Sequence, residues 1–139
     1  MQHTTNYNLN QWEADDRVTR EDFNADNAAI DAALKSVSDA SPEIVFGTYT
    51  GNTGSATPHT ISIGRKPKAV WVQHTEWSAS DATYRFTGFA AQGLPISFST
   101  GKALELTDDG FTVANIAIGG GSYLYPNLTD KLYIYVALC

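Results

Sequence analysis

Few residues of this chain have types and spacings that could do chemistry. The histidines are His3, His59 and His74. They fall in separate segments, and no pair has the i, i+4 spacing that sets two imidazoles on one helix face for a metal. His74 is followed by Glu76, and strand alternation would put both on one face, as in a carboxylate-oriented general base. A surface or edge histidine leaves the same signature. Asp108 and Asp109 could form a carboxylate pair for glycoside cleavage. Adjacent turn residues point in different directions, however, and Gly110 accounts for both as hairpin chemistry. No serine lies in a G-x-S-x-G elbow. The glycine run at 119–121 lacks both the following helix and the lysine of a phosphate loop. Cys139, the one cysteine, has no neighbour to activate it and no partner for a disulfide or a zinc cluster. We therefore expect no catalytic residue, no metal ligand, no cofactor and no enzymatic activity.

The aromatic residues are the better signal. Trp71, Trp77, Tyr84, Phe89, Tyr123 and Tyr125 are spread over strands and loops. Trp77 precedes Ser78-Ala-Ser-Asp81, and Tyr123 and Tyr125 follow the glycine run. Rings beside small polar residues suit a sugar: an apolar face for the pyranose, with amides and hydroxyls around it. Trp77, Tyr123, Tyr125 and His74 are the candidate ligand-binding residues. The competing reading places the same rings in the core or at a subunit interface.

These residues belong to a β-rich body. From residue 43 onward, short apolar stretches alternate with turn residues, the pattern of an antiparallel β-sandwich or small barrel. Strands are expected at 44–50, 59–63, 68–74, 83–90, 96–99, 104–107, 111–115 and 131–138. Asp108-Asp109-Gly110 should turn a hairpin, and 118–130 should be loop. The last strand is apolar on both faces. Leu132, Ile134, Val136 and Leu138 are expected to fill the core, leaving Tyr133 and Tyr135 to be covered by another sheet, a loop or another subunit.

The segment before it, 1–42, reads as an attachment module with one α-helix over about 20–37. Thr19 and Asp22 have the spacing of a capping box, Val18 and Phe23 that of a hydrophobic staple. Ser41-Pro42 ends the helix. Phe23, Ile30 and Val37 recur every seven residues, with Asn27 and Leu34 between them, a narrow heptad seam with one polar position. The seam suits self-association, or docking on the chain's own β domain. An isolated helix of this length is marginal in water and needs a partner. Phe23, Asn27, Ile30, Leu34 and Val37, with Tyr133 and Tyr135, are the candidate oligomer interface.

Nine acids and three bases lie at 1–43, which accounts for the whole formal charge of −6, and six of each cancel in the rest. Neither part is a basic surface for nucleic acid. No apolar run approaches the roughly 20 residues of a membrane span, and the polar start does not read as a secretory signal. Synthesis in the host cytoplasm without a signal peptide is expected.

Trp12, Asp16, Val18, Arg20, Asp22, Phe23, Asn24, Asp26, Asn27, Ile30, Asp31 and Leu34 stand in an order that resembles the opening of tail proteins of phages and prophages of Gram-positive, clostridia-like bacteria. The likeness covers about a fifth of the chain. Two shorter stretches are similar to C-terminal domains of tail-fibre proteins: Pro-Lys-Ala-Val-Trp-Val at 67–72, and the ending from Gly110-Phe-Thr-Val113 to Tyr133-Ile-Tyr-Val-Ala137. The resemblance implies a homotrimeric virion protein whose N-terminal segment docks to the tail or baseplate and whose β domain faces outward as a tail-fibre tip, for host-surface carbohydrate. The alternative is a purely structural baseplate or head-decoration subunit that binds no receptor.

Overall fold

Thr19 starts the helix. Its hydroxyl accepts from the Asp22 backbone N–H at 3.2 Å and donates to the Asp22 carboxylate at 2.5 Å, so a side-chain pair caps the first turn. Helix α1 runs Arg20–Ala40 in this computed structural model, which describes residues 1–76 and 86–139. It continues three residues past the expected end. The Ser41 N–H still reaches the Val37 carbonyl at 3.0 Å, and Pro42 then forbids a further turn. The backbone divides into two units, Met1–Pro42 and Glu43–Cys139.

In the first unit, β1 (Gln2–His3) pairs with β2 (Asn10–Gln11). Asn10 fastens this hairpin to the helix: its N–H donates to Asp26 at 2.9 Å and its amide to the Asp22 carbonyl at 3.2 Å. Tyr7 and Leu9 line a groove of about 250 Å³ with Ile30, Ala33, Leu34 and Val37. Phe23, Asn27, Ile30, Leu34 and Val37 are all exposed, so nothing in this unit covers the seam. Val18 and Phe23 are exposed too, and the expected staple has no hydrophobic shelter.

The second unit is built of antiparallel sheets. One has the order β3 (Ile44–Thr50), β12 (Leu132–Leu138), β5 (Ala69–His74), β6 (Thr87–Ala91). The other has the order β4 (His59–Ser62), β9 (Gly110–Val113), β8 (Gly101–Leu106), β7 (Ile96–Phe98). Buried side chains of both sheets, including Tyr49, Val70, Val72, Leu104, Phe111 and Tyr133, make one apolar cluster. The protein is thus mainly β with a single helix among the described residues. The Asp108-Asp109 turn closes β8 onto β9 as expected, with the Thr107 N–H on the Gly110 carbonyl at 2.9 Å. The 83–90 strand begins at Thr87; its residues up to 85 lie outside the described residues.

Three expectations need correction. The stretch 118–130 is not all loop. A further hairpin, β10 (Ile116–Gly119) with β11 (Ser122–Leu124), turns on Gly120 and Gly121 at φ of 61° and 78°. Left-handed backbone at both central positions is what a tight two-residue turn demands, and only glycine takes it freely. The last strand faces the other way from expectation. Tyr133 and Ala137 are fully buried, Tyr135 is half-buried, and Leu132, Ile134 and Leu138 are exposed. Register decides this: Tyr133, Tyr135 and Ala137 pair with His74, Val72 and Val70, and cross-strand partners share a face. Tyr133 is therefore a core residue and not an oligomer contact. For the same reason His74, which shares a face with Val70 and Val72, is 3% exposed and packs its ring 5.2 Å from that of Tyr133. It is no surface ligand residue.

Candidate functional site

The segment 125–128 follows β11 and is fixed to the core by two tyrosines. The Tyr133 hydroxyl donates to the Tyr125 carbonyl at 2.6 Å and accepts from the Leu128 N–H at 3.1 Å. The Tyr49 hydroxyl donates to the Pro126 carbonyl at 2.6 Å. The two phenol rings stack with centroids 5.0 Å apart, so the clamps support each other. Burial pushes the Tyr133 phenol up to about 12, and burial with the neighbouring Tyr133 pushes Tyr49 well above its ordinary range. Both hydroxyls therefore stay protonated and able to donate at neutral pH.

Asn127 completes the attachment. Its side-chain oxygen accepts from the Asn52 N–H at 3.1 Å and lies 2.9 Å from His59 Nδ1, and its amide donates to the Asn52 side chain at 2.9 Å. Its own N–H donates to Asn115 Oδ1 at 3.0 Å, and the Asn115 amide reaches the Thr53 carbonyl at 2.8 Å. Asn127 is fully buried and acts as a structural joint between these segments. Gly51 makes the joint possible. A Cβ there would meet the Leu128 carbonyl oxygen at 2.0 Å, and only a bare backbone fits.

These attachments shape a cleft of about 560 Å³. Its walls are lined by Gly54, Ser55, Ala56, Thr100, Asn115, Ile116, Ala117, Tyr123 and Tyr125. Tyr123 and Tyr125 stack with centroids 5.5 Å apart and planes 25° from parallel. Tyr123 is 49% exposed. Thr100 donates to the Ala117 carbonyl, which ties it to β10 and keeps the hydroxyl lone pairs available. Ser55 belongs to a hydroxyl chain with Thr53 and Thr57 at 2.9 and 3.0 Å, a turn that holds its loop without charge.

Among the described residues no charged side chain lines this cleft. It can take up a neutral, hydroxyl-rich molecule with an apolar face, and its volume lies within the range of small-ligand sites. Among the described residues no cluster of three His, Cys, Asp or Glu side chains could hold a metal ion.

Of the candidate ligand residues, the structure brings Tyr123 and Tyr125 together, buries His74 in the core, and leaves Trp77 outside the described residues. Sequence reasoning missed Thr100, Asn115 and residues 54–56. Asn115 carries a readable signal: it sits between the apolar residues Ala114 and Ile116, where a polar side chain must find internal partners. Glu76, the suggested companion of His74, pairs instead with Lys131 at 2.8 Å, whose ammonium holds its carboxyl below the usual range. Asp108 pairs with Lys66 at 2.6 Å, with the same effect. No helix among the described residues is long and apolar enough to cross a membrane. No family model, curated protein or solved structure matches this chain.

Proposed function

We propose that this chain is a non-enzymatic, tail-associated virion protein of a phage or prophage. Its first unit docks to the tail or baseplate. Its second unit, an antiparallel sandwich of the tail-fibre-tip kind, takes up a neutral host-surface glycan in the Tyr123–Tyr125 cleft. The likeness of the N-terminal residues to tail proteins supports the virion assignment. One observation carries the glycan: two stacked tyrosines line a cleft that Ser55 and Thr100 line as well, with no charged side chain among its described lining residues. Stacked rings offer a flat apolar surface to a pyranose, and serine and threonine supply orientation.

The test is a pull-down and titration of purified protein against intact host cells and neutral cell-wall polysaccharide. Saturable binding is expected, weakened at least tenfold by Tyr123→Ala and further by Tyr123→Ala with Thr100→Val. Retained binding in both variants would move the ligand elsewhere. Failure of the wild type to bind any host fraction would end the receptor reading and favour a purely structural baseplate or head subunit.

A further inference from the structure

The outer face of the β3-β12-β5-β6 sheet carries a second surface that the cleft reading does not use. Register aligns Phe46, Val136, Trp71 and Phe89 in one row across all four strands. Phe46 is 75% exposed, Phe89 60% and Trp71 41%. Trp71 Nε1 donates to the Thr87 hydroxyl at 3.1 Å, so the indole holds its polar edge within the sheet. Ile44 and Leu138 pair beside this row and are exposed as well. Within Glu43–Cys139 the described residues leave all of this row but the half-buried Val136 open to water.

We propose that this face is where two copies of the chain meet, sheet against sheet. Three observations select a second copy. With aromatic side chains offering about 150–250 Å² each, the ridge and its aliphatic flanks expose on the order of 600 Å². With the polar rim of Thr48, Gln73 and Thr87, that approaches the roughly 800 Å² per partner of a stable protein interface. The row and its flanks carry no charge, so two identical faces meet without opposing like charges, as a two-fold interface requires. The surface is also a regular pleated face, the shape that packs on another sheet about 10 Å away with side chains interdigitated. An apolar face of this extent left in water is a liability that a copy removes.

This face shares no residue with the ligand cleft or the helix seam, and the experiment separates all three. Sedimentation equilibrium is run on the full chain as wild type, as the helix variant Ile30→Glu/Leu34→Glu, and as that variant with Phe46→Glu/Phe89→Glu added. All four positions are exposed, and far-ultraviolet circular dichroism checks that each variant keeps the wild-type β signal. The wild type and the helix variant are expected to self-associate, and the fourfold variant to sediment at the monomer mass. A wild type that is monomeric, as when another segment of the same chain covers the face, overturns the proposal. So does a helix variant that is already monomeric, or a fourfold variant as large as the helix variant. Polysaccharide binding by the monomeric fourfold variant reports on the cleft alone.

Discussion

Replacing Tyr133 with phenylalanine isolates the clamp behind the cleft, because the change removes one oxygen and leaves the ring. That oxygen serves two backbone groups, the Tyr125 carbonyl at 2.6 Å and the Leu128 N–H at 3.1 Å, and Tyr133 is fully buried. A buried polar group stripped of its partner costs about 1–3 kcal/mol. Both backbone groups are only partly buried, so a net loss of about 2 kcal/mol is expected. The stacked contact with Tyr49 survives in the variant. For a domain of this size each kcal/mol lowers Tm by roughly 4–8 °C, so a fall of about 8–16 °C is expected. The assay is urea and thermal unfolding followed by near-ultraviolet circular dichroism, with Tyr123→Phe as the exposed control, expected within about 0.5 kcal/mol of wild type. Tyr49→Phe loses a single bond, to the Pro126 carbonyl, and should cost less. The double variant should cost less than the two losses added, because both hydroxyls hold one segment. A Tyr133→Phe protein within 0.5 kcal/mol of wild type would refute the clamp, and strict additivity would refute its unity.

Two further expectations follow from the same joint. Gly51→Ala drives a Cβ against the Leu128 carbonyl, backbone that cannot turn aside, and should destabilise the domain by roughly 1–3 kcal/mol with weakened polysaccharide uptake; a neutral unfolding midpoint would contradict the close approach. Tyr133 and Tyr49 hold their protons to higher pH in the folded state than the ordinary phenol value of about 10, so their contribution is complete below about pH 10 and lost as pH rises towards 12. Urea midpoints between pH 8 and 12 should stay level and then fall, with phenolate absorbance of these two groups appearing only on unfolding. Full stability at pH 12 would contradict their burial.

Much of the fold was legible in local chemistry. Thr19 and Asp22 announced the helix start because capping is decided within four residues, and Asp109-Gly110 announced its hairpin for the same reason. The β10–β11 hairpin was missed because a glycine run reads equally as a flexible loop, and only pairing of its flanks shows that the glycines are a turn. The cleft was half legible. Tyr123 and Tyr125 were marked by their position after the glycines, while Thr100, Asn115 and residues 54–56 come from distant strands and loops that only packing brings near.

The last strand draws the line most sharply. Alternation alone divided it into Leu132, Ile134, Val136, Leu138 and Tyr133, Tyr135, Ala137, two faces both apolar enough to be core. Sequence periodicity has no term for which face turns inward when both are apolar. Pairing with β5, whose Val70 and Val72 are buried, settled it, and with it the burial of His74, the clamping of 125–128 by Tyr133, and the exposure of the ridge around Phe46 and Trp71. Element type, caps and turns were set by neighbours in the chain, where the interactions are local. Which residues became core, cleft or open surface was set by neighbours in space, because burial is a property of the whole packed sheet.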